Sequence, residues 1–361
     1  MKPIAVAGHV CLDIIPSFSP RHWDISELMV PGKLVDVGRA LICTGGAVSN
    51  TGLALHRLGA PVRLIGKTGD DLFADSIASL FESQGAGLSK GLVRTTGIAT
   101  SYTVVINPPG IDRIFFHCPG ANDAFGPEDV LPEAVQDCSI LHFGYPTLMK
   151  RMFEGEGAEL EPILRQAKTQ GTATSLDMSL PDPASPAGKA PWRKILQRCL
   201  PLVDMYVPSI EEVISMLFPG SPFVYDRTFL RQASDELLAM GAGLALIKLG
   251  SNGIYLRTSP SSSRMAFLEP FGCSLNEWVG VEMVVPIFEV RVVGTTGCGD
   301  SAIAGFLMAV ASGCSPESAL EIAAAAGACR AESPDAVSGI PTLEELRHRI
   351  DGGWKKAKTA F

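Results

Sequence analysis

A surplus of positive charge is missing from this chain. Its 361 residues carry 30 Lys and Arg against 38 Asp and Glu, a formal net charge of -8, which argues against a nucleic-acid partner or an anionic membrane surface. The acidic balance still permits a phosphorylated ligand, because backbone N–H groups bind anions locally. No stretch of 18 apolar residues occurs, so no membrane span is expected. No two of the nine cysteines stand at C-x-x-C spacing, and several lie in apolar runs such as Leu41-Ile42-Cys43 and Ala328-Cys329. Reduced, buried thiols fit that pattern better than a disulfide framework. The six histidines include no H-E-x-x-H, which argues against structural zinc. Internal repeats and low-complexity tracts are also lacking.

What is present is an alternation. Ile4–Ala7, Val62–Gly66, Ile140–Phe143, Ala173–Asp177, Met205–Val207 and Ala245–Leu249 are short apolar runs bounded mostly by polar residues or glycine. Longer segments of helical period, such as Ala47–Leu58 and Leu72–Gln84, lie between them. This predicts an α/β fold, a mainly parallel sheet covered by helices on both faces. The first run follows a single lysine and is followed at once by Asp13, so it reads as a buried strand ending at Gly8 rather than as a signal peptide, and cytoplasm is the default location. Three stretches break the rhythm. Residues 93–118 read as a β-hairpin around Pro108-Pro109-Gly110, and residues 28–43 look extended, so the two together predict a small projecting sheet. Thr258–Pro286 is too long for an ordinary connection; its Ser-rich start suggests a loop, and Trp278 suggests that part of it packs down.

The strongest chemical signal is Gly294-Thr295-Thr296-Gly297-Cys298-Gly299-Asp300, lying between a β-rich run, Val284–Val293, and a small-residue helix, Ala302–Val310. First-turn N–H groups of a helix have no intrahelical acceptor, so they form a seat for a phosphoryl group, and Gly297 and Gly299 let the backbone approach a ligand closely. Asp300 then has two readings: the base that takes a proton from an attacking hydroxyl, or a helix cap beside a glycine turn. Cys298 likewise reads as a nucleophile at a helix start or as a small residue filling space. A second signal is Gly45-Gly46, opening a helix that stops near Gly59, with Asn50 one turn in, facing either a polyol or solvent. Asp177, at a strand end, reads as a support for hydrated Mg²⁺ or as a cap, and His9 and His142 read as packed polar residues. Gly66-Lys67-Thr68 imitates the end of a P-loop, but the glycine needed five residues earlier is Pro61. Gly297-Cys298-Gly299 begins a dinucleotide fingerprint that fails at Ala302.

The order of these motifs resembles the PfkB/ribokinase family of carbohydrate kinases. Gly45–Gly69 resembles its first signature and Gly297–Asp300 its second. Gly8…Asp13, Pro119-Gly120-Ala121-Asn122, Ser209-Ile210-Glu211-Glu212 and Lys248-Leu249-Gly250-Ser251-Asn252-Gly253 match further family motifs in sequence order. The resemblance implies one ribokinase-like kinase domain over 1–361, a doubly wound sheet with a small β lid built from about 10–43 and 95–118. It implies Asp300 as catalytic base and Gly297, Cys298 and Gly299 as the anion hole. Asp13, Gly45, Gly46 and Asn50 would hold the substrate, and Ser209, Lys248, Gly250 and Gly253 the ATP. Glu212 would hold Mg²⁺ through water. The implied partners are a small sugar, sugar acid or nucleoside and a second copy of the chain through the lid. The alternative is a catalytically weak sugar or nucleoside sensor that keeps the fold.

The departures from the family pattern are Gly294 in place of Asp, Cys298 in place of Ala, Ser209 in place of Asn, and Ala47 where some sugar kinases carry Lys. Gly294 removes a carboxylate that in relatives helps to bind an activating K⁺, and ligand charge contributes to the affinity of such sites. Little K⁺ activation is therefore expected. Turnover in K⁺ against a bulky organic cation at equal ionic strength checks this, and a gain of about tenfold or more, roughly 1.4 kcal/mol of barrier, would contradict it.

Overall fold

The computed structural model describes residues 1–111, 113–333 and 338–358. Thirteen strands are present among them: β1 (Ile4–Gly8), β2 (Cys11–Pro16), β3 (Ala40–Gly45), β4 (Val62–Thr68), β5 (Leu92–Arg94), β6 (Tyr102–Ile106), β7 (Ile114–Cys118), β8 (Ile140–Gly144), β9 (Ala173–Leu176), β10 (Met205–Tyr206), β11 (Leu244–Lys248), β12 (Ile254–Thr258) and β13 (Glu282–Val285). Nine of them form one sheet in the order β13-β12-β11-β10-β9-β8-β1-β4-β5. Its pairings from β5 across to β11 are parallel, and the last two strands add an antiparallel edge.

The apolar runs are continuous because this sheet is buried on both faces. Along β1, Ile4 and Val6 enter one hydrophobic core while Ala5 and Ala7 enter the other; along β11, Leu244 and Leu246 separate from Ala245 and Ile247 in the same way. The first core is closed by the helices Ala47–Arg57, Cys298–Ala311 and Pro316–Ala331. The last two approach closely at Gly305, where an added Cβ would lie 2.8 Å from the Ile322 carbonyl oxygen. An alanine-rich partner and a glycine permit that contact. Strand order reverses between β1 and β8, and in doubly wound sheets the crevice beyond the strand ends at such a point receives ligands.

The small sheet has the order β3-β2-β6-β7. The hairpin is β6–β7, as expected, whereas β5, at the start of the 93–118 stretch, pairs with β4 in the main sheet. The expectation of extended chain over 28–43 holds only at its end. Ile25–Leu28 is a short helix, Pro31-Gly32 makes a turn, and the strand begins at Ala40. The expected β-rich run Val284–Val293 is also cut short: β13 ends at Val285, because Pro286 has no N–H to continue the ladder. Among the described residues no helix is long and apolar enough to cross a membrane.

The long 258–286 connection is largely helical before β13, with the short helices Ser262–Met265 and Leu275–Trp278 and a 3₁₀ stretch, Ala266–Phe271, between them. Trp278 is fully buried; its indole N–H donates to the Cys314 carbonyl (3.2 Å) and its ring meets Phe306 edge-on. The connection therefore supports the helix that begins at Cys298. Trp278→Ala should lower unfolding stability by about 3–5 kcal/mol, the range for a large buried aromatic, as read by urea denaturation.

Candidate active site

Helix Cys298–Ala311 starts from Gly297, whose backbone is left-handed (φ 80°). Asp300 lies in its first turn and is 4 % exposed. Its carboxylate caps nothing in its own helix. It accepts hydrogen bonds from Tyr145 Oη (2.7 and 2.9 Å to its two oxygens), Asn50 Nδ2 (3.2 Å) and Thr51 Oγ1 (3.4 Å). The capping reading of Asp300 is thereby replaced by a carboxylate held from two other segments. Asn50 does not face solvent; it is buried, and its Oδ1 has no protein partner.

Beside Asp300 opens a cavity of about 510 Å³. Gly297, Cys298 and Gly299 line one wall, and Ser209, Lys248, Gly250 and Gly253 another. Ser209 and Glu212 form a capping box: the Ser209 N–H donates to Glu212 Oε2 (2.6 Å) and the Glu212 N–H to Ser209 Oγ (3.3 Å). Serine at 209 thus retains the cap despite departing from the family's asparagine. Burial raises the Cys298 thiol above its ordinary value, which favours the space-filling reading over the nucleophile.

The Lys248 ammonium, part-exposed to the cavity, lies 2.7 Å from Oδ1 of the buried Asp177. Its chain runs alongside Gly299, where a Cβ would lie 3.5 Å from Lys248 Cδ, in ordinary contact. Burial disfavours the Lys248 charge, but Asp177 and Glu212 outweigh it and hold the amine protonated. Burial likewise raises the carboxyls of Asp177 and Glu212, with Lys248 opposing. Asp177, read in the sequence as a support for hydrated Mg²⁺ or as a cap, lines this cavity, and so does Tyr145, to which no sequence motif pointed. Each is the first residue after a parallel strand, β9 and β8, and that position was the available signal for Tyr145.

Asp13, Gly45 and Gly46 are not part of the cavity lining; Asn50 touches it only through Asp300. They sit where the small sheet meets the main one. An added Cβ at Gly46 (φ 87°) would lie 2.5 Å from the His9 carbonyl oxygen, so that position requires glycine; at Gly45 it would lie 2.4 Å from Asp13 Oδ2 and would push that side chain aside. The register sets Cys43, Asp13, Thr103 and His117 in one row across all four strands of the small sheet. Thr103 Oγ1 and His117 Nδ1 are 3.0 Å apart, and His117 Nε2 is 3.4 Å from His9 Nε2. Burial, then His117, lowers His9 to about 3, and burial, then Lys248, does the same to His142. Both rings are therefore neutral packed groups, as the sequence suggested. From the hairpin, Arg113 reaches Thr295 (3.4 Å) and Thr296 in the loop before Gly297.

A doubly wound sheet, a separate four-stranded sheet and an acid at a glycine-led helix start define the ribokinase-like class. The chain belongs to the pfkB family of carbohydrate kinases, whose family model, "pfkB family carbohydrate kinase", matches residues 3–343. It is 25% identical over 348 residues to a probable fructokinase-4 of Arabidopsis thaliana, covering 94% of this chain and 97% of that one. It is 24% identical over 323 residues to a 2-dehydro-3-deoxygluconokinase of Bacillus subtilis, covering 83% and 84% respectively. The structure of an Arabidopsis thaliana ribokinase complexed with ribose and ATP superposes with a TM-score of 0.73 at 20% identity, over 96% of this chain and 98% of that one.

Lys248→Met would strand the carboxyls of Asp177 and Glu212. It should destabilise the fold by about 3–5 kcal/mol, and the double variant Lys248→Met/Asp177→Asn by clearly less. The single-variant penalty should shrink as pH falls, because carboxyls raised by burial take up protons and no longer need a counter-charge. Urea denaturation across pH measures both effects.

Proposed function

We propose that this protein is an ATP-dependent kinase that phosphorylates a hydroxyl of a small, unphosphorylated polyhydroxyl substrate: a sugar, a sugar acid or a nucleoside. The observation that carries this reading is Asp300, a buried carboxylate in the first turn of a glycine-led helix, beside a cavity walled by the Lys248–Gly253 loop. The fructokinase and 2-dehydro-3-deoxygluconokinase names of its relatives, and the ribose and ATP bound by its structural neighbour, support the same class.

In this reading the acceptor lies against Asp13, Gly45, Gly46 and Asn50, where the free Asn50 Oδ1 accepts a hydrogen bond from one of its hydroxyls. ATP occupies the cavity along Ser209, Lys248, Gly250 and Gly253, with its γ-phosphate at the N–H groups of Gly297, Cys298 and Gly299. The acceptor oxygen forms its bond to phosphorus, the bond to the ADP oxygen breaks, and Asp300 takes the hydroxyl proton. Lys248 adds positive charge beside the anion hole. Among the described residues no three His, Cys, Asp or Glu side chains converge on a metal-sized point. Mg²⁺, which keeps much of its water shell, accordingly suits Glu212 acting through water rather than a protein cage. When bound it neutralises charge on the phosphate oxygens.

The domain reading is a single kinase domain over the whole chain, with the small sheet as its lid. Arg113, reaching from the hairpin to Thr295 and Thr296, supports a lid that closes on the anion hole and keeps water out. Leu41, Ile42, Phe115 and Phe116 are exposed on the small sheet and support pairing of two copies there.

ADP release measured over a panel of sugars, sugar acids, nucleosides and sugar phosphates tests the reading. An unphosphorylated compound should give the highest kcat/KM, because the Gly45–Asn50 strand-to-helix segment offers no cation to clamp a second phosphate. Asp300→Asn should keep the melting temperature and ATP binding while losing about 10²–10⁴ in turnover. No acceptor-dependent ADP from any compound would favour the sensor, and a hexose phosphate ahead of every unphosphorylated compound would overturn the acceptor class.

A further inference from the structure

Tyr145 is the first residue after β8, at the crevice where the strand order reverses. Its backbone is left-handed, φ 63° and ψ 44°, a conformation that bulky side chains avoid. The following proline also disfavours a helical backbone at this residue. Local preference therefore does not put Tyr145 there; the surrounding fold holds it, and strain of this kind collects at functional sites.

The hydroxyl that this strained backbone presents lies across both oxygens of Asp300, at 2.7 and 2.9 Å. These contacts are shorter than those from Asn50 (3.2 Å) and Thr51 (3.4 Å). Tyr145 also lines the cavity into which Asp300 opens. Burial, reinforced by the negative charge of Asp300, raises the phenol well above its ordinary value and keeps the proton on it. The group facing the base is thus a permanent O–H donor, the same chemistry that an acceptor hydroxyl brings. An acceptor hydroxyl and the Tyr145 hydroxyl compete for the same carboxylate.

On the reading of Asp300 as the base, we propose that Tyr145 is a guard: its hydroxyl occupies the base in the sugar-free enzyme and yields to an acceptor hydroxyl, so that water does not take the place of the acceptor. Without the guard, a water oxygen forms the bond to the γ-phosphorus, the bond to the ADP oxygen breaks with its electron pair leaving on ADP, and the water proton passes to Asp300. A multiply anchored polyol displaces the phenol because it gains contacts with Asp13 and Asn50 as it enters. A single water lacks those contacts.

The test is hydrolysis of Mg²⁺-ATP with no sugar present. Tyr145→Phe retains the ring and removes only the hydroxyl, and should raise sugar-independent phosphate release by about tenfold, a modest share of what a freed base contributes. The melting temperature should stay close to that of the wild type. Tyr145→Gly, which also relieves the left-handed backbone, is the second variant, and the same rise is expected. Adding Asp300→Asn to either variant should return hydrolysis to the wild-type level. A folded Tyr145 variant whose hydrolysis is unchanged or falls, or whose rise survives Asp300→Asn, overturns the guard. Wild-type turnover with sugar in Asp300→Asn alone would overturn both the base assignment and the guard. A dead Asp300→Asn beside unraised hydrolysis in the Tyr145 variants overturns the guard only.

Discussion

A buried carboxylate without donors is among the most unfavourable groups a fold can contain. Asp300 is a buried carboxylate that escapes this cost, and the donors that satisfy it tie the molecule together. Its donors come from the Ala47–Arg57 helix (Asn50, Thr51) and from the end of β8 (Tyr145), while the acid itself rides on the Cys298–Ala311 helix. Three segments separated by long stretches of chain must therefore be in register before this one charge is accommodated. The Gly305 contact and the packed Trp278 serve the same end, since both fix the helix that carries the acid.

A second buried charge system stands next to the first. Lys248 on β11 is paired with Asp177 after β9, and Ser209 bridges to Lys248 in a parallel β contact. Two acids share one ammonium here, and because burial raises both carboxyls, protons as well as Lys248 offset their charge. The start of the Cys298–Ala311 helix lines the same cavity.

Much of this was legible in the sequence. The parallel strands read as apolar runs because both of their faces are buried, and the Gly45–Asn50 and Gly297–Asp300 segments read as chemistry because their residues are contiguous. Lys248 was legible as a candidate at the head of a glycine loop. Its pairing with Asp177 was not, because that depends on β9 and β11 flanking β10, a fact of strand order. Tyr145 was hidden for the same reason: a lone tyrosine after an apolar run carries no local signal, and its position opposite Asp300 arises only when β8 lies beside β1. The β-rich run beyond Val285 was overread because valine content says nothing of ladder partners, while Pro286 does.

The row Cys43–Asp13–Thr103–His117 crosses the small sheet one residue per strand, each contributed by a different part of the chain. Side chains in such a row are linked by the backbone ladder and not by sequence. Thr103 meets His117 across one such pair, and Asp13 accepts from Cys11 two residues back along its own strand. The row therefore answers to a change as a unit, like adjoining keys on one bar, and it does so apart from the helix that carries the acid.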